Sequence, residues 1–152
     1  MNIRTIKDGE GEIVASLWDE QARTAVDGAP LSERGRRNIA RMLDMAAWHH
    51  RQMCLVAEDD GRIVGFACGG LDAGSGLLPG LVGEIEALYV TPQACGRGTS
   101  GALARAIVEQ LRERGARTIR NLVCIEDEEA QAFWVAQGFE RDMVCLSLYR
   151  AS

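Results

Sequence analysis

The stretch that most restricts how this chain can fold is GEIEALYVTPQACGRGTSGALARAI, residues 83–107. It predicts a strand from Glu84 to Val90, stopped at Thr91-Pro92, then a glycine turn, then a helix from Thr99 to Arg114. Leu103, Ile107 and Leu111 recur at i, i+4 and i+8 with Val108 beside them, the spacing of one helix face. Gly115 is placed to end that helix. A glycine turn opening a helix leaves backbone N–H groups unpaired at the positive end of the helix dipole, which favours a phosphate. Glycines let a ligand come close to the backbone. Arg97 adds positive charge, and Thr99 and Ser100 offer hydroxyls. The plainer alternative is a tight turn with a Ser/Thr cap and a solvated arginine.

The rest of the chain arranges itself around this segment. Asn2 to Ile6 reads as a short strand. Glu10 to Val26 is helical by the spacing of Ile13, Val14, Leu17, Trp18, Ala22 and Ala25, and Gly28-Ala29-Pro30 breaks it. Ser32 is placed to cap a second helix with Ile39, Met42, Leu43 and Ala46 on its apolar face. Met53 to Ala57 is a strand, Asp60-Gly61 a hairpin turn and Arg62 to Gly69 the return strand. A glycine-rich loop follows from Gly69 to Gly83. Beyond the central helix, Thr118 to Ile125 is an apolar strand. Asp127 to Gln137 is a short helix stopped at Gly138, and Phe139 to Tyr149 a final strand. The order is β-α-α-β-β-β-α-β-α-β, an α+β arrangement with a mixed, mostly antiparallel sheet. No linker divides residues 1–152, so one domain is expected.

Composition narrows the class of function. Hydrophobic residues are 47% and charged residues 26%, as in ordinary globular chains. Aromatics are 5%, so the core must be aliphatic. The formal net charge of −5 argues against a nucleic-acid binder, which needs a basic surface. No run approaches the roughly 18 apolar residues of a membrane span. The N-terminus has no apolar leader, which makes the cytoplasm the expected compartment. Cys54, Cys68, Cys95, Cys124 and Cys145 are an odd number without a C-x-x-C pair. They read as reduced, mostly buried thiols rather than zinc ligands or disulfides. His49 and His50 are adjacent, so they do not share a helical face and do not form a metal pair. No metal is expected.

Gly96-Arg97-Gly98-Thr99-Ser100-Gly101 spells G-x-G-x-x-G, the dinucleotide fingerprint. The context excludes that reading: Thr91 to Cys95 separate the turn from its strand, and no acid lies about 20 residues on to hold a ribose. The segment instead resembles motif A of the GNAT superfamily of N-acetyltransferases. Leu88-Tyr89-Val90-Thr91-Pro92 matches the strand end, Gly98 the first obligatory glycine, and Gly96, Arg97, Ala102 and Leu103 the common forms. Ala130, Phe133, Trp134, Gly138 and Phe139 resemble the family's second element, and the order of elements is also the family's. Four positions depart from the pattern. Cys95 stands where Gln or Arg is usual, Ser100 for Gly or Ala, and Asp127 for a frequent Asn. Trp134 stands where many members carry a tyrosine.

The resemblance implies an N-acetyltransferase that moves the acetyl group of acetyl-CoA to a primary amine of a small molecule or protein. It implies that Leu88, Tyr89 and Val90 pair with the pantetheine, that Cys95 and Gly96 to Gly101 hold the pyrophosphate, and that Asp127, Ala130, Phe133 and Trp134 line the opposite wall. A non-catalytic acyl-CoA-binding or regulatory domain is the alternative. An alkylammonium has a pKa of about 10, so a base must remove a proton before attack. Glu84 and Glu86 share strand parity, which predicts that both face the same way as Leu88 and Val90. Glu84, which matches the base position in the histone-acetylating branch, is the first candidate for base and Glu86 the second. A wet strand end that binds substrate or arginine is the alternative for both.

Indole has no useful acidity, so Trp134 does not replace a tyrosine acid, and Tyr149, Tyr89 or water are the remaining proton sources. Trp134 packing with Phe133 as core is the plainer reading. The acidic run Glu126 to Glu129 suits a helix N-terminus. Arg34, Arg37 and Arg41 read as a solvated stripe, with an acidic substrate group as the alternative. After Gly138, the usual closing pair of strands barely fits. One long last strand is expected there, or a homodimer in which a partner completes that edge.

Overall fold

The computed structural model describes residues 1–25, 28–73 and 80–150. The predicted helix end at Val26 and the middle of the Gly69–Gly83 loop lie outside them. Strand β1 is Asn2–Thr5, followed by helices α1, Gly11–Thr24, and α2, Glu33–Ala46. Strands β2, Gln52–Asp59, β3, Arg62–Asp72, and β4, Val82–Val90, come next. A 3-10 turn at Pro92–Ala94 leads to α3, Thr99–Glu113, then β5, Thr118–Asn121, and α4, Glu128–Ala136. The sheet order is β1-β2-β3-β4-β5. Its first three pairings are antiparallel and β4–β5 is parallel.

The turns follow the sequence closely. Asp60 and Gly61 both take positive φ, 48° and 74°, the left-handed pair that a two-residue hairpin needs. Ser32 caps α2 by accepting from Gly35 N–H at 3.0 Å. Strand β2 is buried on both faces from Met53 to Ala57, so it reads as a continuous apolar run rather than an alternation. One face packs on α1 and α2 through Val14, Leu17, Leu43, Cys54, Val56, Phe66 and Cys68. The other carries α3 and α4, with Leu55, Ala67, Ile85, Leu103, Ile107, Leu111 and Trp134. Burying a side chain of this size contributes about 1.5–3 kcal/mol.

Three expectations are corrected. First, Phe139 to Tyr149 forms no strand, and residues 139–150 carry no regular structure. The alternation there is that of a strand, but pairing also needs a partner edge, and among the described residues no strand pairs with it. Second, β5 stops at Asn121 instead of running to Ile125, leaving Leu122 and Ile125 exposed. Third, the cysteines divide: Cys54 and Cys68 are buried, whereas Cys95, Cys124 and Cys145 are exposed. Burial pushes the thiol of Cys68 well above its usual range, which keeps it protonated and unreactive.

Helices α1 and α2 meet without space for a side chain at Gly11. A Cβ there would lie 2.2 Å from the Ala40 carbonyl oxygen and 2.6 Å from Asp44 Oδ1. The same Asp44 carboxylate accepts from the N–H groups of Gly9, 3.1 Å, and Gly11, 2.8 Å, so α2 caps the start of α1. Gly11→Ala must push the helices apart, and a loss of about 2–3 kcal/mol is expected. The check is urea unfolding followed by far-UV circular dichroism, with a lower midpoint at unchanged slope.

Candidate active site

The sheet opens beside β4. Its pairing with β5 runs from Val82–Thr118 to Ile85–Asn121 and then ends, while β4 continues to Val90. On the β3 side, Cys68 pairs with Ala87 and Gly69 with Ile85, which leaves Glu86 as the extra residue of a bulge. The bulge reverses strand parity. Ile85, Leu88 and Val90 pack toward α3, while Ala87 and Tyr89 pack toward α1 and α2. Alternation about Ile85 therefore turns Glu84 and Glu86 to the α1–α2 side, away from Leu88 and Val90. The predicted shared face is wrong because one inserted residue shifts everything after it by one position.

The two carboxylates differ in surroundings. Glu84 is half-buried, and its Oε2 accepts from Arg120 Nη2 at 3.3 Å, the two residues facing each other across the parallel pair. Glu86 stands at the bulge with no cation beside it among the described residues. Desolvation, and then the nearby charge of Glu84, hold the Glu86 carboxyl above its ordinary range.

Beyond Val90 the chain turns through Pro92–Ala94 into the glycine loop. Gly96 and Gly98 adopt φ of 80° and 77°, a left-handed conformation that favours glycine. Gly98 is the residue before α3 and gives it no side-chain cap. Ala102 N–H reaches the Gly98 carbonyl at 3.0 Å, the first bond of the helix. Among the described residues, no backbone N–H from Gly96 to Gly101 donates to a protein acceptor. Space lies open around Gly96 and Gly98: a Cβ built on either meets nothing within 4 Å. Ser100 is half-buried at the helix start. Thr99 is buried, and its Oγ1 faces Met1 Sδ at 3.1 Å, so its hydroxyl does not project from the turn. Cys95 is exposed and lies 3.8 Å from the Val90 carbonyl oxygen. Arg97 reaches Asp59 Oδ2 at 3.2 Å, which tethers the loop to the end of β2.

Across the opening stands α4. Asp127 caps it by accepting from Ala130 N–H at 3.0 Å, which fixes the carboxylate on its own helix. Ala130 and Phe133 are half-buried. Trp134 is buried, edge-on to Phe133 and Phe139 with ring centroids 5.1 Å apart in each case. The plainer reading of Trp134 as core describes its surroundings.

Two partners were not legible in the sequence. Gln21 of α1 donates from Nε2 to the Leu88 carbonyl at 2.9 Å. Tyr89 Oη donates to Glu20 Oε2 at 3.2 Å, and burial, aided by Glu20, holds that phenol above its usual range. A polar residue on α1 gives no hint of which strand it meets. Arg120 was readable in principle, since a lone arginine in a strand parallel to one carrying Glu84 asks for an acid. Tyr149 lies exposed, outside this region.

An apolar hollow of about 480 Å³ lies apart from the glycine loop, lined by Asn38, Arg41, Met42, Met45, His49 and Gln52. The unpaired donors are instead at the α3 N-terminus, and donor chemistry identifies an anion site better than volume does. The hollow shares a face with Glu84: Gln52, Gly70 and Glu84 occupy one row of the sheet, and a Cβ on Gly70 would meet Gln52 Oε1 at 2.6 Å. Among the described residues, no group of three or more His, Cys, Asp or Glu is placed to hold a metal. No helix among them is long and apolar enough to cross a membrane.

Known proteins resemble this chain in sequence and in fold. The chain is 29% identical over 157 residues to the mycothiol acetyltransferase of Sanguibacter keddieii, covering 100% of this chain and 47% of that protein. It is 38% identical over 88 residues to aminoglycoside N(6')-acetyltransferase type 1 of Stenotrophomonas maltophilia, covering 57% of this chain and 58% of that one. The chain thus spans about half the length of these curated relatives. The solved structure of the aminoglycoside N-acetyltransferase AAC(6')-Iy in complex with CoA has the same fold, with a TM-score of 0.77 at 22% identity over 99% of this chain and 95% of that one. The family model described as "Acetyltransferase (GNAT) family" matches residues 14–139, and the chain belongs to that family.

Proposed function

We propose that residues 1–152 act as one acetyltransferase domain that transfers acetyl from acetyl-CoA to a primary amine, of a small molecule in the first instance. The observation that carries this reading is the uncapped α3 N-terminus beside the gap between β4 and β5. A pyrophosphate needs several donors and a positive end, and the free N–H groups of Gly96 to Gly101 supply both. Cys95 flanks them, and Arg97 adds a cation when it leaves Asp59. The pantetheine needs a strand edge without a second strand beside it, which Leu88, Tyr89 and Val90 supply, with Gln21 on the Leu88 carbonyl. Ala130 and Phe133 form the facing wall, with Asp127 holding α4 and Trp134 filling the core behind it. When bound, acetyl-CoA supplies the activated acyl carbonyl. The residues present fit it.

The chain's own part is to hold the donor and remove a proton from the amine. Glu86 suits the base role better than Glu84. A base works best with a pKa near the working pH, and desolvation moves Glu86 in that direction. Arg120 engages Glu84, which makes Glu84 a positioning residue that keeps negative charge beside Glu86. The α1–α2 face, where both carboxylates point, is the acceptor side, and its mixed lining of Arg41, Met42, His49 and Gln52 suits a small polar amine. The relatives named for mycothiol and aminoglycosides support a small-molecule acceptor. Free cysteines suit a reducing compartment, and the cytoplasm is the location proposed.

A second reading, an acyl-CoA-binding domain without catalysis, is favoured by Trp134, which buries an indole where an acid would be useful. Free-thiol release with acetyl-CoA and an amine panel separates the two. Release on at least one amine supports the enzyme, and binding without release on all of them supports the second reading.

Glu86→Gln is expected to lower kcat by about 10²–10⁴-fold. It should also remove the acidic limb of the pH–rate profile, which falls as pH drops through the raised Glu86 pKa. The stability effect has the opposite sign. A carboxyl whose folded pKa lies above its unfolded value disfavours the fold once pH exceeds the folded pKa. Near pH 7 the variant's Tm should therefore match or exceed the parent's. If Glu84→Gln removes the limb and Glu86→Gln does not, the two roles are reversed. Pyrophosphate binding is checked by calorimetry. Gly98→Trp fills the open space over the donors and should weaken CoA at least about 100-fold, the loss of two charge-assisted hydrogen bonds. A positive φ at a non-glycine residue lowers stability by about 1–2 kcal/mol without unfolding the domain.

A further inference from the structure

The hollow on the α1–α2 face joins an apolar wall to one cation. Its lining comes from the second half of α2, from His49 and from Gln52, the first residue of β2. Met42 and Met45 give adaptable apolar surface. Arg41 gives the cation, and no carboxylate lines the hollow. Among the described residues Arg41 enters no ion pair. The acid one turn further along α2, Asp44, is engaged by the N–H groups of Gly9 and Gly11 instead. A guanidinium without a partner can hold a carboxylate by two parallel hydrogen bonds. His49 Nδ1 accepts from Arg51 N–H at 3.1 Å, so the ring proton is on Nε2, and that nitrogen is a donor as well.

The row that starts at the hollow ends on acids. Gln52 pairs with Gly70 and Gly70 with Glu84, so the three lie side by side across β2, β3 and β4. Neighbouring strands are about 4.8 Å apart, which sets Glu84 about 10 Å from Gln52. Gly70 puts no side chain between them. The Gln52 amide lies over it, since a Cβ there would meet Gln52 Oε1 at 2.6 Å. Gln52 Nε2 is turned to Met42 Sδ at 3.4 Å, which leaves Oε1 as an acceptor on the floor. Glu86 follows Glu84 on the same face, with no cation beside it among the described residues.

We infer that the hollow takes an extended primary amine whose far end is a carboxylate. The amine sits at Glu86 and Glu84, the apolar chain crosses Gly70 against Met42 and Met45, and the carboxylate lies on Arg41. This rests on the acceptor side proposed above and names its substrate class. The charges select at both ends. A polyamine would set a second cation against Arg41, and like charges repel. A plain alkylamine would leave Arg41 without a partner. An α-amino acid carries its carboxylate next to its amine and is too short to reach both ends of the row. One cation matches one negative charge, which favours a carboxylate over a phosphate ester carrying nearly two.

The test reads binding first, without acetyl-CoA, from the methyl signals of Met42 and Met45 in the methionine-labelled full chain. 8-Aminooctanoate should move both signals saturably and bind at least about 10-fold more tightly than octylamine, the gain from a charge-assisted contact. 4-Aminobutanoate, too short to span the row, should gain less over butylamine. Arg41→Gln should bring 8-aminooctanoate and octylamine to equal affinity. Turnover with acetyl-CoA is then followed as free thiol, and kcat/KM should favour 8-aminooctanoate over octylamine and over spermidine. Equal affinity for the two octyl compounds in the parent chain would overturn the proposal. So would a preference that survives Arg41→Gln, an equal gain at both chain lengths, or methyl signals that no amine moves. Thiol release that favours spermidine would uphold the transferase and overturn the ligand class. Methyl shifts with the expected preference but no thiol release on any amine would uphold the ligand class and sink the transferase reading.

Discussion

Strand β4 has two different neighbours along its length, and the rest of the site depends on where one of them leaves. The parallel ladder with β5 ends at Ile85–Asn121 after four residue pairs, while the antiparallel ladder with β3 runs on to Val90. The stretch of β4 beyond Ile85 is thereby left without a second strand beside it, with Gln21 Nε2 on the Leu88 carbonyl. The bulge at Glu86 sits at this point. It re-aims the strand, turns two carboxylates toward α1 and α2, and sends Leu88 and Val90 to the α3 side. One inserted residue thus separates the α1–α2 side of the strand from the α3 side.

The same geometry explains how an acidic chain can hold an anion. With a formal charge of −5, the surface as a whole repels phosphates. In the proposed site the glycine loop would work locally instead. Left-handed glycines at 96 and 98 turn successive N–H groups outward at a helix terminus, and no side chain competes for them. Arg97 is tethered by Asp59, so positive charge is stored at the rim rather than spread over the surface. Opposite the loop, the buried Trp134 and its two ring neighbours make α4 a rigid wall with no acidic proton of its own.

Local chemistry was legible in the sequence, and pairing was not. The hairpin at Asp60-Gly61, the Ser32 cap, the α3 face and the glycine loop follow from residue types at fixed short spacing. They appear where the sequence places them. The Glu84–Glu86 face was misread because a bulge is a property of two strands, not one, and no residue of β4 announces it. The last strand was misread for a related reason: Val144, Leu146 and Leu148 have the right alternation, but alternation does not name a partner edge. Gln21, Glu20 and Asp44 act across 33 or more residues of sequence, which spacing rules do not reach. Asp44 shows the consequence most plainly, since it caps a helix that begins before its own.

The central claim is that the bare edge of β4 and the uncapped start of α3 form one site for acetyl-CoA. Amide chemical shifts of the labelled chain during a CoA titration test it most directly. The account predicts saturable changes concentrated at Gly96 to Gly101 and Leu88 to Val90, moving together with one dissociation constant. Changes centred on the hollow beside Met42 and Gln52, or none at either segment, would contradict it.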